Sequence, residues 1–304
     1  MKTRIYIDGY NLYYGCLKGT PYKWLDIVKL FQDYVLPSSS LCTSVLHHCG
    51  VKFFTADIVE KAATSQDSRK DQQAYHRALS LFHDATTLQI IKGYYSVTKA
   101  RAFKIELSAP AKKPNECNYV DVWKLEEKQT DVNIAVESLH DAHIDDELEQ
   151  IVYVTNDTDL VPALDKIKSI GRIKIGLVIP TTDKVRKPNA ELSKLADWTR
   201  QSITLEELKA SQLPRTITGG RKPVTKPDSW FGQPEDLKEI LALLQTVEGS
   251  RSKCWKWLES PKPSVNGLSV LLDLPVNLLD DGTLSKHVLE HAKAYVGYKK
   301  GNRS

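Results

Sequence analysis

The chain has 304 residues, of which 41% are hydrophobic, and its formal net charge is +4. This length suits one large domain or two smaller ones, and the small positive charge permits an anionic partner without requiring one. No apolar run reaches the roughly 18–20 residues that a membrane helix needs, and Asp8 interrupts the apolar start too early for a secretory signal. The 5 cysteines include no CxxC pair, which favours reduced thiols in a cytoplasmic protein.

The N-terminal part of the chain alternates between strand and helix patterns. Apolar runs and period-two alternation indicate strands, and apolar residues three and four positions apart indicate helices. The predicted elements are strands at 3–7, 51–57 and 87–97, helices at 24–34 and 68–85, and a hairpin of two strands at 102–108 and 118–128.

The alternation continues with a helix at 131–143, a strand at 150–156, a helix from Leu160 and a strand at 172–180. Strands that alternate with helices predict an open, mainly parallel sheet with helices on both faces. The uniformly apolar runs IVYV and IGLVI suit strands buried on both sides. We therefore predict a Rossmann-like α/β domain over residues 1–207.

The composition changes after this domain. Residues 208–234 are rich in proline, glycine and basic residues and lack periodicity, which predicts a linker. Three helical patterns follow, and they predict a small helical domain over residues 235–304.

Four aspartates stand where predicted strands end or helices begin. Asp8 follows the first strand and Asp157 follows the strand at 150–156, while Asp131 and Asp159 lie at helix starts. Ligands of open α/β sheets bind at the carboxyl ends of the strands, so neighbouring strands would bring these carboxylates together. Crowded carboxylates repel one another, and a hard divalent cation removes that repulsion. The pattern is compatible with an Mg²⁺ or Mn²⁺ site for phosphoryl chemistry.

A structural interpretation of the same aspartates stands beside this one. Side-chain oxygens at helix N-termini accept backbone N–H bonds, which explains Asp131 and Asp159 without a ligand. Asp8 before Gly9 is ordinary turn chemistry. The spacing of the residues leaves both interpretations open.

Three ordered motifs resemble the NYN family and, within it, its LabA-like bacterial branch. They are YIDGYNLYYG near the N-terminus, EEKQTDVNIAVE in the middle and IVYVTNDTDLVPAL later, and the resemblance covers roughly residues 1–205. NYN domains are similar to PIN domains, which have a Rossmann-like sheet and an acidic pocket for Mg²⁺ or Mn²⁺. The resemblance implies a metal-dependent ribonuclease.

By motif position, the resemblance places the acidic site residues at Asp8, Asp131, Asp157 and Asp159, and polar partners at Asn11, Asn156 and Lys128. Asn11 would orient Asp8 or contact phosphate, although capping of the turn after Gly9 explains it equally well. Lys128 would pair with a carboxylate or the scissile phosphate, unless it is a surface lysine that flanks a helix. An alternative is a weak or inactive NYN module that binds RNA or a protein. An aspartyl phosphatase is disfavoured, because DGYN lacks the second aspartate that such enzymes use.

Two basic segments are candidate surfaces for single-stranded or structured RNA. In the first, basic residues alternate with aromatic residues. Lysines can contact phosphates and aromatic rings can stack on bases. This segment contains Lys99, Arg101, Lys104, Lys112, Lys113, Tyr94, Tyr95 and Phe103. The second contains Arg69, Lys70 and Arg77. A solvated hairpin with core aromatic residues explains the first segment equally well.

The C-terminal segment 250–275 faintly resembles the toxin-binding domain of the Xre/MbcA/ParS group through its WL.SP.P pattern. This resemblance implies a protein partner or self-association through the C-terminal domain. The alternative is that Trp255, Trp257 and Leu258 form the core of a small helical domain.

Overall fold

A computed structural model describes residues 1–38, 43–63, 65–106, 112–183, 186–262 and 273–301. The chain divides into two compact units: the first comprises Met1–Cys16 and Leu25–Thr225, and the second comprises Leu17–Trp24 and Lys226–Ser304. The domain boundaries predicted from sequence stay predictions. A helix at Leu205–Ala210 and two short strands at Thr216–Ile217 and Val224–Thr225 lie at or inside the predicted linker.

The first unit is an α/β structure around a seven-stranded, mostly parallel sheet. Its strands are β1 (Lys2–Asp8), β2 (Val45–Ala56), β3 (Leu88–Phe103), β4 (Tyr119–Lys128), β5 (Gln150–Val154), β6 (Lys174–Val178) and β7 (Trp198–Arg200). They lie in the order β4-β3-β2-β1-β5-β6-β7; β3 pairs antiparallel with β4, and the other neighbouring strands pair parallel. The α/β prediction is therefore confirmed.

Helices and short turns connect these strands. The helices are α1 (Gly9–Leu12), α2 (Ile27–Lys29), α3 (Ser68–Phe82), α4 (Thr130–Ile144), α5 (Val161–Ile170), α6 (Ala190–Leu195) and α7 (Leu205–Ala210). Tyr13–Leu17 and Leu30–Val35 are π-helical, Glu60–Ala62, Pro114–Glu116 and Thr158–Leu160 are 3-10 turns, and β8 (Thr216–Ile217) pairs with β9 (Val224–Thr225).

Two predicted elements differ from the structure. The helix predicted from residue 24 begins at Ile27, because the Asp26 side chain accepts the Lys29 N–H at 3.0 Å and caps it. The separate strand predicted at 102–108 is absent from the described residues of that range: β3 runs without a break from Leu88 to Phe103 and pairs with β4 as a hairpin. Residues 107–108 lie outside the described part.

The strand order reverses at β1. From β1 the chain moves through β2 and β3 to one edge, and β5 then returns to pair with the other side of β1. Such a reversal opens a crevice at the carboxyl ends of the two strands, where ligands of doubly wound sheets bind. Here that position is at the ends of β1 and β5, at Asp8 and the segment after Val154.

A buried polar cluster joins α4 to the sheet. Asp141 pairs with Arg4 at 3.1 Å and with Lys52 at 2.7 Å, and it accepts a short hydrogen bond from the Tyr6 hydroxyl. The three charged side chains are at most 9% exposed. This cluster holds the C-terminal part of α4 against β1 and β2.

The second unit contains the helices α8 (Pro234–Glu248), α9 (Arg251–Leu258) and α10 (Gly282–Gly301), with 3-10 turns at Asp228–Trp230 and Pro275–Leu278. Trp255, Trp257 and Leu258 are buried in its apolar cluster, as the core interpretation predicts. Residues 263–272 of the segment that resembles the toxin-binding domain lie outside the described residues.

Candidate functional site

The acidic residues predicted from sequence lie at the reversal point of the sheet. Asp8 ends β1, Asp157 and Asp159 follow its neighbour β5, and Asp131 lies in the first turn of α4. The charges of Asp8, Asp157 and Asp159 all act on Asp131. The structure therefore brings the four carboxylates into one electrostatic cluster.

Asp8 and Asp157 both cap helical turns. The Asp8 carboxylate accepts the Asn11 N–H at 2.9 Å, the Asn11 side-chain amide at 2.5 Å and the Thr155 hydroxyl at 3.2 Å. Asp157 accepts the Asp159 N–H at 3.0 Å, and its own N–H donates to Thr155 at 3.1 Å. The structural interpretation is therefore confirmed for Asp8. It is wrong in naming Asp131 and Asp159 as caps, because the cap positions are Gln129 and Asp157.

Two carboxyl groups of the cluster, those of Asp8 and Asp131, have raised pKa values. Burial, opposed by the hydrogen bonds from Asn11 and Thr155, raises the pKa of Asp8 to about 6. Burial, followed by the negative charges of Asp8, Asp157 and Asp159, raises the pKa of Asp131 to about 6. Asp131 is half-buried, and no hydrogen bond to its carboxylate is found among the residues that the structure describes. A carboxyl group of this kind suits proton transfer near neutral pH.

The effect of the charged Asp131 carboxylate on the free energy of unfolding can be measured. Its folded-state pKa lies above the unfolded value of 3.8, so the folded state loses stability as the pH rises from about 4 to above 6. Asp131→Asn should therefore raise the free energy of unfolding by about 1 kcal/mol at pH 7.5, after a discount for solvent screening. The gain should shrink as the pH falls towards 4.

Urea denaturation at several pH values measures this effect, with Asp146→Asn as the control because the Asp146 side chain is 97% exposed. A gain that is equal at pH 7.5 and pH 4 would contradict the ionisation of Asp131 as its cause.

The predicted polar partners have different surroundings. Asn11 donates to Asp8 and accepts a hydrogen bond from Arg186 at 3.2 Å. Asn156 bonds to Lys187 and Asn189 and so holds the loop after β6. Lys128 pairs with Glu126 at 3.2 Å, and it is not among the charges that act on the pKa of Asp131.

Sequence reasoning missed several residues at this edge. Glu127 accepts hydrogen bonds from Thr130 and Tyr95 and lies close enough to Asp131 for the two charges to interact. Tyr10 and Tyr14 flank the cluster, and the sequence marked them only as part of the motif YIDGYNLYYG. Arg186 comes from the loop after β6, and no pattern in the sequence marked it.

The predicted RNA surfaces are exposed in part. On the hairpin, Lys99 lies over the Trp123 ring at 5.8 Å and Arg101 over the Tyr119 ring at 5.0 Å. On the second surface, Arg69 pairs with Glu60, and Arg77 donates to the Lys222 carbonyl. RNA and protein partners stay predictions. In the described part of the chain, no helix is long and apolar enough to cross a membrane.

Comparison with known proteins decides the family. The chain is 43% identical to the 6-hydroxy-3-succinoylpyridine 3-monooxygenase HspA of Pseudomonas putida (strain DSM 28022 / S16), over 97% of this chain and 95% of the relative. The chain belongs to the family of this monooxygenase. No protein-family profile matches. A crystal structure of a protein of unknown function from Vibrio parahaemolyticus is 14% identical, over 67% of this chain and 94% of that one, and its TM-score of 0.35 supports no argument.

The HspA family overturns the predicted chemistry. The prediction of an Mg²⁺- or Mn²⁺-dependent ribonuclease, with its alternative of a weak or inactive NYN module, is wrong, because the relative's name is that of an oxidoreductase. Within the described ranges, no group of three or more His, Cys, Asp or Glu side chains could hold a metal ion. A physical reason is visible at Asp8, whose carboxylate oxygens accept three hydrogen bonds from the protein.

A monooxygenase needs a source of electrons. Dinucleotide cofactors can supply these electrons, and each such cofactor contains a pyrophosphate. Such a pyrophosphate lies against a glycine-rich turn after the first strand, at the N-terminus of the next helix. Here the Asp8 carboxylate already accepts the N–H of that turn. A Cβ on Gly9 would lie 2.5 Å from the Phe54 carbonyl oxygen, so this glycine serves close packing on β2. The acidic edge does not fit a pyrophosphate.

Proposed function

We propose that the chain is a monooxygenase that inserts oxygen into a hydroxylated pyridine ring carrying an acidic side chain. The observation that carries this proposal is the 43% identity to a monooxygenase named for 6-hydroxy-3-succinoylpyridine, over nearly the full length of both chains. Because the likeness spans both units, the whole chain rather than one domain is the unit of function.

The acidic edge offers a role that fits this substrate class. Positions 3 and 6 of a pyridine ring are para to each other, so loss of the proton from a hydroxyl group at C6 delocalises negative charge onto C3. A carboxylate near the ring would accept that proton and make C3 a better nucleophile towards oxygen. We assign this role to Asp131, because its carboxylate is half-buried and is not engaged in capping.

Oxygen labelling tests the proposal. C3 carries the acyl side chain, so entry of one oxygen atom at C3 breaks the bond between C3 and the acyl carbon. With one O₂, two electrons and two protons, the acyl group leaves as a carboxylic acid that accounts for the second oxygen atom. With four electrons and four protons, it leaves as an aldehyde and the second oxygen atom leaves as water. The full chain should convert 6-hydroxy-3-succinoylpyridine under ¹⁸O₂, with NADH, NADPH or reduced flavin supplied in separate reactions. Mass spectrometry should find one ¹⁸O atom in the ring product. No product with any reductant, or a label that enters only from H₂¹⁸O, would overturn the proposal.

Two finer features of the architecture are also proposed. The first unit would share the NYN arrangement of PIN-like domains, which the three ordered motifs support. The second unit would be a small helical domain, which the apolar cluster among α8, α9 and α10 supports. In this proposal the NYN arrangement is a scaffold for oxidoreductase chemistry, since one fold hosts unrelated activities.

A further inference from the structure

Two tyrosines form an exposed aromatic pair on the first helical segment after β1. Tyr10 and Tyr14 are 44% and 49% exposed, and their ring centroids lie 4.4 Å apart. Tyr13 packs edge-on against Tyr14 at 5.2 Å. Rings that stay in solvent rather than in the core are suited to bind planar ligands, because they offer a large contact area at small entropic cost.

The tyrosine pair borders the acidic cluster. The charges of Glu127 and Asp8 both act on the Tyr10 hydroxyl, which is hydrogen-bonded to Tyr14. The Tyr95 hydroxyl donates to Glu127 at 3.3 Å, and the Tyr10 and Tyr14 side chains lie near Tyr95. A ring stacked on the pair would therefore lie next to the acidic cluster.

A cation meets the same helical segment at Asn11. The Arg186 guanidinium donates to the Asn11 side-chain oxygen at 3.2 Å, and the amide of Asn11 donates to Asp8 at 2.5 Å. One asparagine side chain therefore separates the arginine from the acidic cluster. No carboxylate in the described part of the chain forms an ion pair with Arg186. An exposed guanidinium in this state suits a bidentate bond to a ligand carboxylate.

We infer that Tyr10 and Tyr14 stack the heteroaromatic ring of the substrate, and that Arg186 binds the carboxylate at the end of its side chain. This inference rests on the proposed function and names the residues that set its specificity. The ligand class is a planar nitrogen heterocycle with a flexible acidic chain. The ring and the acid are recognised separately, so each can be removed separately.

Direct binding tests the assignment without turnover. Calorimetry with 6-hydroxy-3-succinoylpyridine, 2-hydroxypyridine and succinate gives the affinity for the whole ligand, the ring and the acid. Arg186→Gln should raise the Kd for the whole ligand about tenfold or more, because a charge-assisted bond is lost, and should leave the affinity for 2-hydroxypyridine unchanged. Tyr14→Leu should weaken binding of both ring ligands, and Tyr14→Phe should bind both nearly as well as the wild type.

Arg69→Gln is the control for the arginine, and Tyr298→Leu is the control for the tyrosine, because both side chains are exposed and neither residue belongs to the proposed binding set. If the wild type hydroxylates the substrate while Arg186→Gln and Tyr14→Leu bind the ligands as the wild type does, this inference fails and the proposed function stands. If the wild type neither binds nor oxidises the pyridine, both fail.

Discussion

Replacement of Asp141 by alanine should lower the free energy of unfolding by about 3–5 kcal/mol, the cost of removing one partner from a buried ion pair. The variant leaves Arg4 and Lys52 without their shared carboxylate, and both side chains are only 6% exposed. The Tyr6 hydroxyl loses its acceptor as well. Arg4 keeps its bond to Asp145 at 3.0 Å and Lys52 keeps Glu137 at 2.6 Å, so the loss should not exceed this range.

Urea denaturation followed by far-UV circular dichroism measures this loss. Asp146→Ala is the matched control, because its 97% exposed carboxylate approaches Arg172 only to 3.9 Å and should contribute less than about 0.5 kcal/mol. Tyr6→Phe should give an intermediate loss of about 1–2 kcal/mol, the cost of an unsatisfied buried group. A loss below 1 kcal/mol for Asp141→Ala would show that solvent reaches the cluster.

The strands of the first unit were predictable because burial on both faces leaves a strong signal. All five residues of β5, QIVYV, are buried, and four of them form an apolar run. In β1, the residues from Thr3 to Asp8 are buried. The start of α2 was missed because the cap at Asp26 outweighs the apolar spacing that extended the predicted helix back to Trp24. The length of β3 was missed because its outer half is exposed and lacks that apolar pattern.

The positions of the acidic residues were predictable, but their chemistry was not. Strand ends at one sheet edge must converge, and Asp8, Asp131, Asp157 and Asp159 do so. Composition cannot tell whether such carboxylates bind a cation or exchange protons, because both uses need crowded acidic groups. The position of Arg186 could not be predicted from the sequence, because its contact with Asn11 depends on the path of the loop after β6. The relative's name, rather than the pattern, changed the interpretation to oxygen chemistry.

Loss of the proposed base should have the largest effect on activity. Asp131→Asn should lower kcat/KM for oxidation of 6-hydroxy-3-succinoylpyridine by about a hundredfold or more, the usual contribution of general base catalysis. The wild-type rate should rise with pH through about 6, because the base acts only when its carboxyl group is deprotonated and burial and neighbouring charges raise the pKa of Asp131 to about 6. The variant should lack this rise.

A second variant separates this pH dependence from the ionisation of the substrate. Asp159 is exposed and its charge raises the pKa of Asp131, so Asp159→Asn should move the rise in kcat/KM to lower pH while most of the plateau rate remains. The substrate's own ionisation would instead give the same midpoint in every variant. An Asp131→Asn enzyme that keeps the wild-type rate and profile would remove Asp131 from the mechanism. In that case Asp8, the other carboxyl group with a pKa raised to about 6, becomes the base to test, through Asp8→Asn and the same profile.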